Sequence, residues 1–275
     1  MTERPTCRVG PVTFGAGTLA VIAGPCAAEG LDLCLTVAER VKALCEKLGV
    51  GCVFKASYDK ANRTAADAPR GPGLRQGLQW LSEVRRRVGV PVLADVHETA
   101  QVAPAAEVLD CLQIPAFLCR QTDLLVAAGA TGKAVNIKKG QFVAPEKMAH
   151  AAAKVRSAGG GDVLLTERGT TFGYDALVND FRAVPIMRPF APVVFDATHS
   201  TQAPGGGRVT GGRRRFVPVL ARAAMAAGAD ALFVETHPDP DRALSDAATQ
   251  WPLDDLEELL RSCLAVFEAV GGRGG

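Results

Sequence analysis

No stretch of about 18 consecutive apolar residues occurs among the 275 residues of this chain, so none reads as a helix that crosses a bilayer. Met1 to Gly15 lacks an apolar run behind a basic start, which argues against a secretory leader. The chain is therefore expected to be soluble, unexported and cytoplasmic, with no membrane partner. None of the eight cysteines, at positions 7, 26, 34, 45, 52, 111, 119 and 263, forms a Cys-x-x-Cys pair. In an unexported chain these are free thiols, mostly buried as small hydrophobes. Surplus charge of one sign is also lacking. The net charge is +2, which gives no footprint for a nucleic-acid partner. The one basic run, Arg213-Arg214-Arg215, is too short to argue otherwise and reads as a solvated helix start. The glycine fingerprint of a dinucleotide site is missing too: the first strand ends in Ala23-Gly24-Pro25-Cys26.

What the chain does have is apolar content, 48% of its residues, enough for a full core. Short β-rich runs alternate with helical ones. The predicted strands are Leu19–Gly24, Cys52–Ser57, Val92–Val96, Cys111–Pro115, Ala134–Lys138, Val163–Thr166, Val193–Ala197 and Ala231–Glu235. Most are continuously apolar until a polar end, as parallel strands covered on both faces should be. Predicted helices are Leu31–Leu48, Leu74–Val88, Thr99–Val108, Thr122–Ala130, Pro145–Ser157, Phe216–Ala227 and Leu253–Val270, with Tyr174–Met187 the least regular segment. Eight β/α units without a linker predict an α/β fold, a single (β/α)8 TIM barrel forming one catalytic domain over 1–275. The glycine-rich tail, 271–275, is expected to be disordered.

A barrel enzyme gathers its chemistry at the C-terminal ends of the strands. Those ends carry Cys26; Lys55, Lys60, Asn62 and Arg63; Asp95 and His97; Gln113, Phe117 and Arg120; Asn136, Lys138 and Gln141; Glu167 and Arg168; Asp196 and His199; and Glu235 and His237. Lys55, Lys60, Arg63, Arg120, Lys138 and Arg168 would repel one another in one mouth unless anions bound there. Asp95, Glu167, Asp196 and Glu235 can pair with some of them, but the cations outnumber these acids. Phosphate- and carboxylate-bearing small molecules are the natural ligands. Cys26, His199 and Glu235 close strands one, seven and eight, neighbours in a closed barrel, and Asp246 follows strand eight. That donor set suits a borderline divalent ion. From spacing alone, a metal site and ordinary hydrogen-bonded side chains both stay open, because no short ligand pair exists. His150 lies in a predicted helix and reads as ordinary.

These segments resemble the 3-deoxy-D-manno-octulosonate 8-phosphate synthase family. The resemblance is carried by Ile22–Ala27, Phe54–Thr64, Ala94–Glu98, Gln113–Phe117, Arg120–Leu124, Val135–Phe142, Thr166–Gly169, Phe172–Tyr174, Phe195–Ser200 and Glu235–Pro240, and runs from about residue 20 to about residue 260. It implies condensation of phosphoenolpyruvate with arabinose 5-phosphate and water. The products would be the eight-carbon phosphosugar acid of lipopolysaccharide core biosynthesis and phosphate. By motif, Lys55, Lys138 and Arg168 would hold phosphoenolpyruvate, in a pocket shaped by Gln113 and Phe117. Lys60, Asn62, Arg63 and Thr64 would line the aldose phosphate site. Arg120 would reach a neighbouring subunit's site, implying a homo-oligomer, usually a tetramer. Asp95, His97 and Lys60 would stand at the reacting atoms, with protons handled by His97 or by a water on the metal.

Members of this family with cysteine at position 26 are the metal-dependent ones. The run Leu244–Gln250 also resembles that class. The resemblance therefore implies one divalent ion per subunit (Zn, Fe, Mn or similar) on Cys26, His199, Glu235 and Asp246. The loop Gln202–Gly212 is expected to close over the substrates, and Arg208 receives no role. The rival reading is the related synthase that uses erythrose 4-phosphate. It typically has Lys-Pro-Arg-Thr where this chain inserts Asn62 in Lys60-Ala61-Asn62-Arg63-Thr64. A non-catalytic phosphosugar-binding barrel would have lost strand-end residues, and none is missing. A Schiff-base aldolase would not need the metal-capable set.

Overall fold

The computed structural model describes residues 4–63, 65–172, 174, 176–203 and 211–271. Eight parallel strands form the centre: β1 (Ala20–Gly24), β2 (Gly51–Lys55), β3 (Val92–Asp95), β4 (Cys111–Ile114), β5 (Ala134–Lys138), β6 (Val163–Glu167), β7 (Val193–Asp196) and β8 (Ala231–His237). They pair in sequence order. β8 then pairs with both β1 and β7, through Ala231 beside Ala20 and beside Val194, so the sheet closes into the expected (β/α)8 barrel.

Helices α1 (Leu31–Leu48), α2 (Leu74–Val88), α3 (Thr99–Val108), α4 (Thr122–Ala130), α5 (Met148–Ser157), α6 (Ala183–Met187), α7 (Val217–Ala226) and α8 (Leu256–Ala269) lie between and after the strands. The longest helices, α1, α2 and α8, form because apolar residues recur on one face. In α1, Cys34, Val37, Ala38, Val41 and Cys45 are buried, and Gly49 ends the helix at φ 67°, where a side chain would be strained. Among its described residues, the irregular segment before β7 holds a two-strand pairing, Thr170–Thr171 with Leu177–Val178, and the five-residue α6.

Strand parity divides the core in two. Val21, Ala23, Phe54, Val92, Ala94, Leu112, Val135, Val163, Phe195 and Leu232 belong to the outer cluster with the helices. Ile22, Val53, Leu93, Cys111, Ala134, Leu164, Val194 and Phe233 belong to the inner one. Successive side chains point to opposite faces, so the alternation gives the barrel interior one residue in two. An N-terminal hairpin, Cys7–Val9 paired with Val12–Phe14, plugs the bottom by adding Cys7, Val9 and Phe14 to the inner cluster. Sequence reading misses it, because three-residue strands carry no measurable period. Among the described residues no helix is long and apolar enough to cross a membrane.

Candidate active site

Two residues further along most strands, the interior turns polar. Val53 gives way to Lys55, Leu93 to Asp95, Cys111 to Gln113, Leu164 to Thr166, Val194 to Asp196 and Phe233 to Glu235, all buried. Of these, Lys55, Asp95, Gln113, Asp196 and Glu235 floor a cavity of about 780 Å³ at the C-terminal end of the barrel. Its wall includes most of the expected residues: Lys55, Lys60, Asn62, Arg63, Asp95, His97, Gln113, Phe117, Lys138, Arg168, His199, Glu235 and Asp246. Gly24 lets β1 end against β2. At φ 156° it leaves room where a Cβ would lie 2.0 Å from the Lys55 carbonyl oxygen.

The buried cations are held by acids. Lys55 Nζ donates to Glu235 Oε1 at 2.5 Å and to the Cys26 carbonyl at 2.9 Å. Lys138 Nζ donates to Asp196 Oδ2 at 2.5 Å and stands 3.1 Å from the centroid of the Phe233 ring. Burial pushes Lys138 down to about 8 even against the pull of Asp196. Burial also opposes the charge on Lys60, but Cys26, Glu235, Asp95 and Asp246 outweigh it and raise that lysine above its ordinary range. Such pairs cost desolvation and are weak devices for stability alone. Two guanidinium groups keep spare donors: Arg63 Nη2 and Arg168 Nη1 are buried without a hydrogen-bond partner. Among the described residues, five lysines and arginines and four acids line the cavity. This is a mouth made for anions.

Beside them stands a group that can hold a metal. Ligand atoms of Cys26, Glu235 and Asp246 all lie within 4.8 Å of one another. Cys26 Sγ is 3.2 Å from Asp246 Oδ2. His199 flanks this trio, with Nε2 3.4 Å from Glu235 Oε2 and 3.7 Å from Asp246 Oδ2. Its other nitrogen, Nδ1, meets Asp196 Oδ2 at 2.6 Å, the outer-sphere arrangement that orients a ligand imidazole. Burial opposes a proton on His199, yet Asp196 and Glu235 lift it to about 9. Burial, reinforced by Glu235, drives the Cys26 thiol well above its ordinary range. Glu235 Oε2 is buried without a hydrogen-bond partner. A thiol, an imidazole and two carboxylates, one with an orphaned oxygen, fit a borderline divalent ion.

Four expectations need correction. Arg120 does not line this mouth; it is exposed, and its carbonyl accepts from Lys154 Nζ. Glu167 shares parity with the outward-facing Val163 and Leu165, so its carboxylate leaves the interior. It accepts from the backbone N–H groups of Arg168 and Gly169 and lies 3.5 Å from buried Lys139. His237 is buried away from the cavity, 3.7 Å from Glu29. Asn136 lies beneath the cavity rather than in its wall. Thr64, Arg208 and the tail 272–275 fall outside the described residues. His150 is exposed on α5, and Arg213–Arg215 lead into α7, where Arg213 and Arg215 are exposed as expected but Arg214 is half-buried and donates to Asp241 and to the Ala247 carbonyl.

Other contributors had escaped the strand-end rule. Gln250 Oε1 accepts from the Cys26 backbone N–H. Gln202 donates to Asp246 and accepts from Arg168. Ser245 Oγ accepts from Arg63. Ser57 donates to Asp95, and Lys60 donates to Ser57. Ser245 and Gln250 lie in the run after β8 that carried the resemblance; no local signal marks Gln202.

A barrel with its chemistry at the strand ends, an anion-gripping wall and a metal-capable cluster defines a class: a (β/α)8-barrel enzyme acting on anionic small molecules. The family model described as the DAHP synthetase I family matches residues 5–270, and the chain belongs to that family. Relatives named 2-dehydro-3-deoxyphosphooctonate aldolase are similar over almost the whole chain. The one from Syntrophotalea carbinolica is 56% identical, covering 97% of this chain and 98% of its own. That from Nitratidesulfovibrio vulgaris strain DP4 is 57% identical over 90% and 91%, and that from Nitrobacter winogradskyi 55% over 98% and 95%.

Proposed function

We propose that this chain condenses phosphoenolpyruvate with D-arabinose 5-phosphate and water, giving 3-deoxy-D-manno-octulosonate 8-phosphate and phosphate for the lipopolysaccharide core. The observation that carries this reading is the pair of orphaned guanidinium donors, on Arg63 and Arg168, in a cavity already rich in cations. Two such donors suit a reaction with two phosphorylated substrates. The name that the relatives share, 2-dehydro-3-deoxyphosphooctonate aldolase, supports the eight-carbon phosphosugar acid as the product.

Lys55, Lys138 and Arg168 hold the phosphate and carboxylate of phosphoenolpyruvate, with Gln113 and Phe117 shaping the pocket. Lys60, Asn62, Arg63 and Thr64 hold the aldose, Arg63 on its phosphate. C3 of phosphoenolpyruvate attacks the aldehyde carbon, forming the new C–C bond. Water adds at C2, and the C2–O bond to phosphate then breaks as the ketone forms. Asp95 and His97 stand at the reacting atoms, the His97 Nε2 being 3.5 Å from Asp95 Oδ2. Burial opposes a proton on His97, but Asp95 outweighs it and raises the proton affinity of the imidazole above the ordinary histidine range. Cys26, His199, Glu235 and Asp246 hold one divalent ion (Zn²⁺, Fe²⁺, Mn²⁺ or similar), which supplies Lewis acidity when bound.

The active form is a cytoplasmic homotetramer made of one catalytic unit per chain, with Arg120 reaching a neighbouring subunit's site. The exposed Phe117, Phe142, Phe172 and Tyr174 support an interface near the mouth. The assay is phosphate release from phosphoenolpyruvate by chelator-stripped protein, with arabinose 5-phosphate or erythrose 4-phosphate, with and without added metal. Activity with arabinose 5-phosphate that returns only with metal is the expected result. Preference for erythrose 4-phosphate would overturn the substrate, and full activity after stripping would overturn the metal.

A further inference from the structure

Beneath the cavity a row of side chains links strand to strand. Thr166 Oγ1 on β6 lies 2.6 Å from Asn136 Oδ1 on β5. Asn136 Nδ2 lies 2.9 Å from Gln113 Oε1 on β4. Gln113 Nε2 lies 3.1 Å from Asp95 Oδ1 on β3. The same Asp95 oxygen accepts from Ser57 Oγ at 3.0 Å. Asn136 and Thr166 are fully buried and are not themselves part of the cavity wall.

The direction of this row is dictated by its end. Lys55, Lys60 and His97 all face Asp95 and favour its charged form. An ionised carboxylate only accepts, so Gln113 must turn its NH2 toward Asp95. Its carbonyl oxygen then faces Asn136, which must offer its own NH2. The Asn136 oxygen in turn faces Thr166, whose hydroxyl must donate. Each amide would otherwise be free to flip end for end at little steric cost.

We propose that Asn136 and Thr166 are positioning residues that lock the amide of Gln113, and through it one oxygen of Asp95, so that the other Asp95 oxygen is left for His97. The row acts as a one-way chain of donors from β6 to β3. Breaking it far from the substrates loosens the group that meets them. The readout rests on the functional reading above, but the inference fails separately from it. Wild-type turnover reports on the reaction, and ratios among variants report on the row.

The experiment is a double-mutant cycle with Thr166→Val and Gln113→Leu, measuring kcat, both KM values and, by calorimetry, the Kd of phosphoenolpyruvate. Valine keeps the shape of threonine and removes only the donor. Thr166→Val should lower kcat about tenfold, the scale of one lost hydrogen bond to a strongly polar network. The KM for the aldose should stay within about twofold, because Thr166 lies outside the cavity wall, and Thr166→Ser should restore activity. Added to Gln113→Leu, Thr166→Val should cost nothing more. Asn136→Asp, which cannot donate when ionised, should lose at least as much as Thr166→Val; if it does not fold, the threonine series decides alone. Thr166→Val at wild-type kcat, or a loss that adds in full to that of Gln113→Leu, would overturn the proposal.

Discussion

The two ends of the barrel are made from the same eight strands and differ by two residues of chain. At the bottom Val53, Leu93, Cys111, Leu164, Val194 and Phe233 meet the plug of Cys7, Val9 and Phe14. At the top Lys55, Asp95, Gln113, Thr166, Asp196 and Glu235 occupy the next inward positions. The bottom is apolar and closed, so it gains free energy from burial. The top buries charges that cost desolvation, and it stays open for ligands that complete their pairing. One end holds the fold together while the other performs the chemistry.

Breaking each end should produce losses of similar size in different measurements. Phe14→Ala should cost about 3–5 kcal/mol of stability, as for other buried phenylalanines. Denaturant unfolding would show it, while kcat and KM below the melting range stay close to wild type. Cys26→Ala should lower turnover by about 10²–10³-fold, since a metal's charge stabilisation amounts to several kcal/mol. Metal content by atomic absorption should fall with it, and the unfolding midpoint should move little once metal-free proteins are compared.

Arg168→Ala should lower kcat/KM for phosphoenolpyruvate by about 10–10²-fold, the range for one charged hydrogen-bonding group. The KM for the aldose should change less. A smaller effect comes from pH. Lys138 is held down to about 8 by burial, below its ordinary 10.5, so its positive charge disappears as pH rises through about 8. The KM for phosphoenolpyruvate should therefore climb above that pH, by up to about tenfold per unit, and the climb should be absent in Lys138→Met. The stability sign is opposite. Between about 8 and 10.5 the unfolded chain holds more protons at this lysine, so this group alone makes the fold more stable with rising pH.

Much of the frame was legible beforehand. The bounds of α1, α2, α3, α4 and β5 match the expected ones to the residue, because long periodic runs register burial directly. Most candidate residues do line one cavity, because a parallel barrel carries every strand's C-terminal end to the same side. Glu167 and Arg120 show the limit. Their place near a strand end was plain, but parity turned Glu167 outward, and the loop after β4 left Arg120 exposed. Gln202 and Gln250 were hidden for a different reason. Their partners, Asp246 and Cys26, lie 44 and 224 residues away along the chain.

What the sequence determined by itself was local: which runs were strands or helices, and which polar residues stood where apolar strands ended. Spacing and periodicity carry that information because burial imposes them residue by residue. Only the tertiary structure decided that a short hairpin fills the bottom of the barrel. It also decided which oxygen of Glu235 lacks a hydrogen-bond partner and which way the amides of Gln113 and Asn136 turn. Those facts follow from contacts between distant strands, where a shift of one residue in parity changes which face of the barrel a charge must occupy.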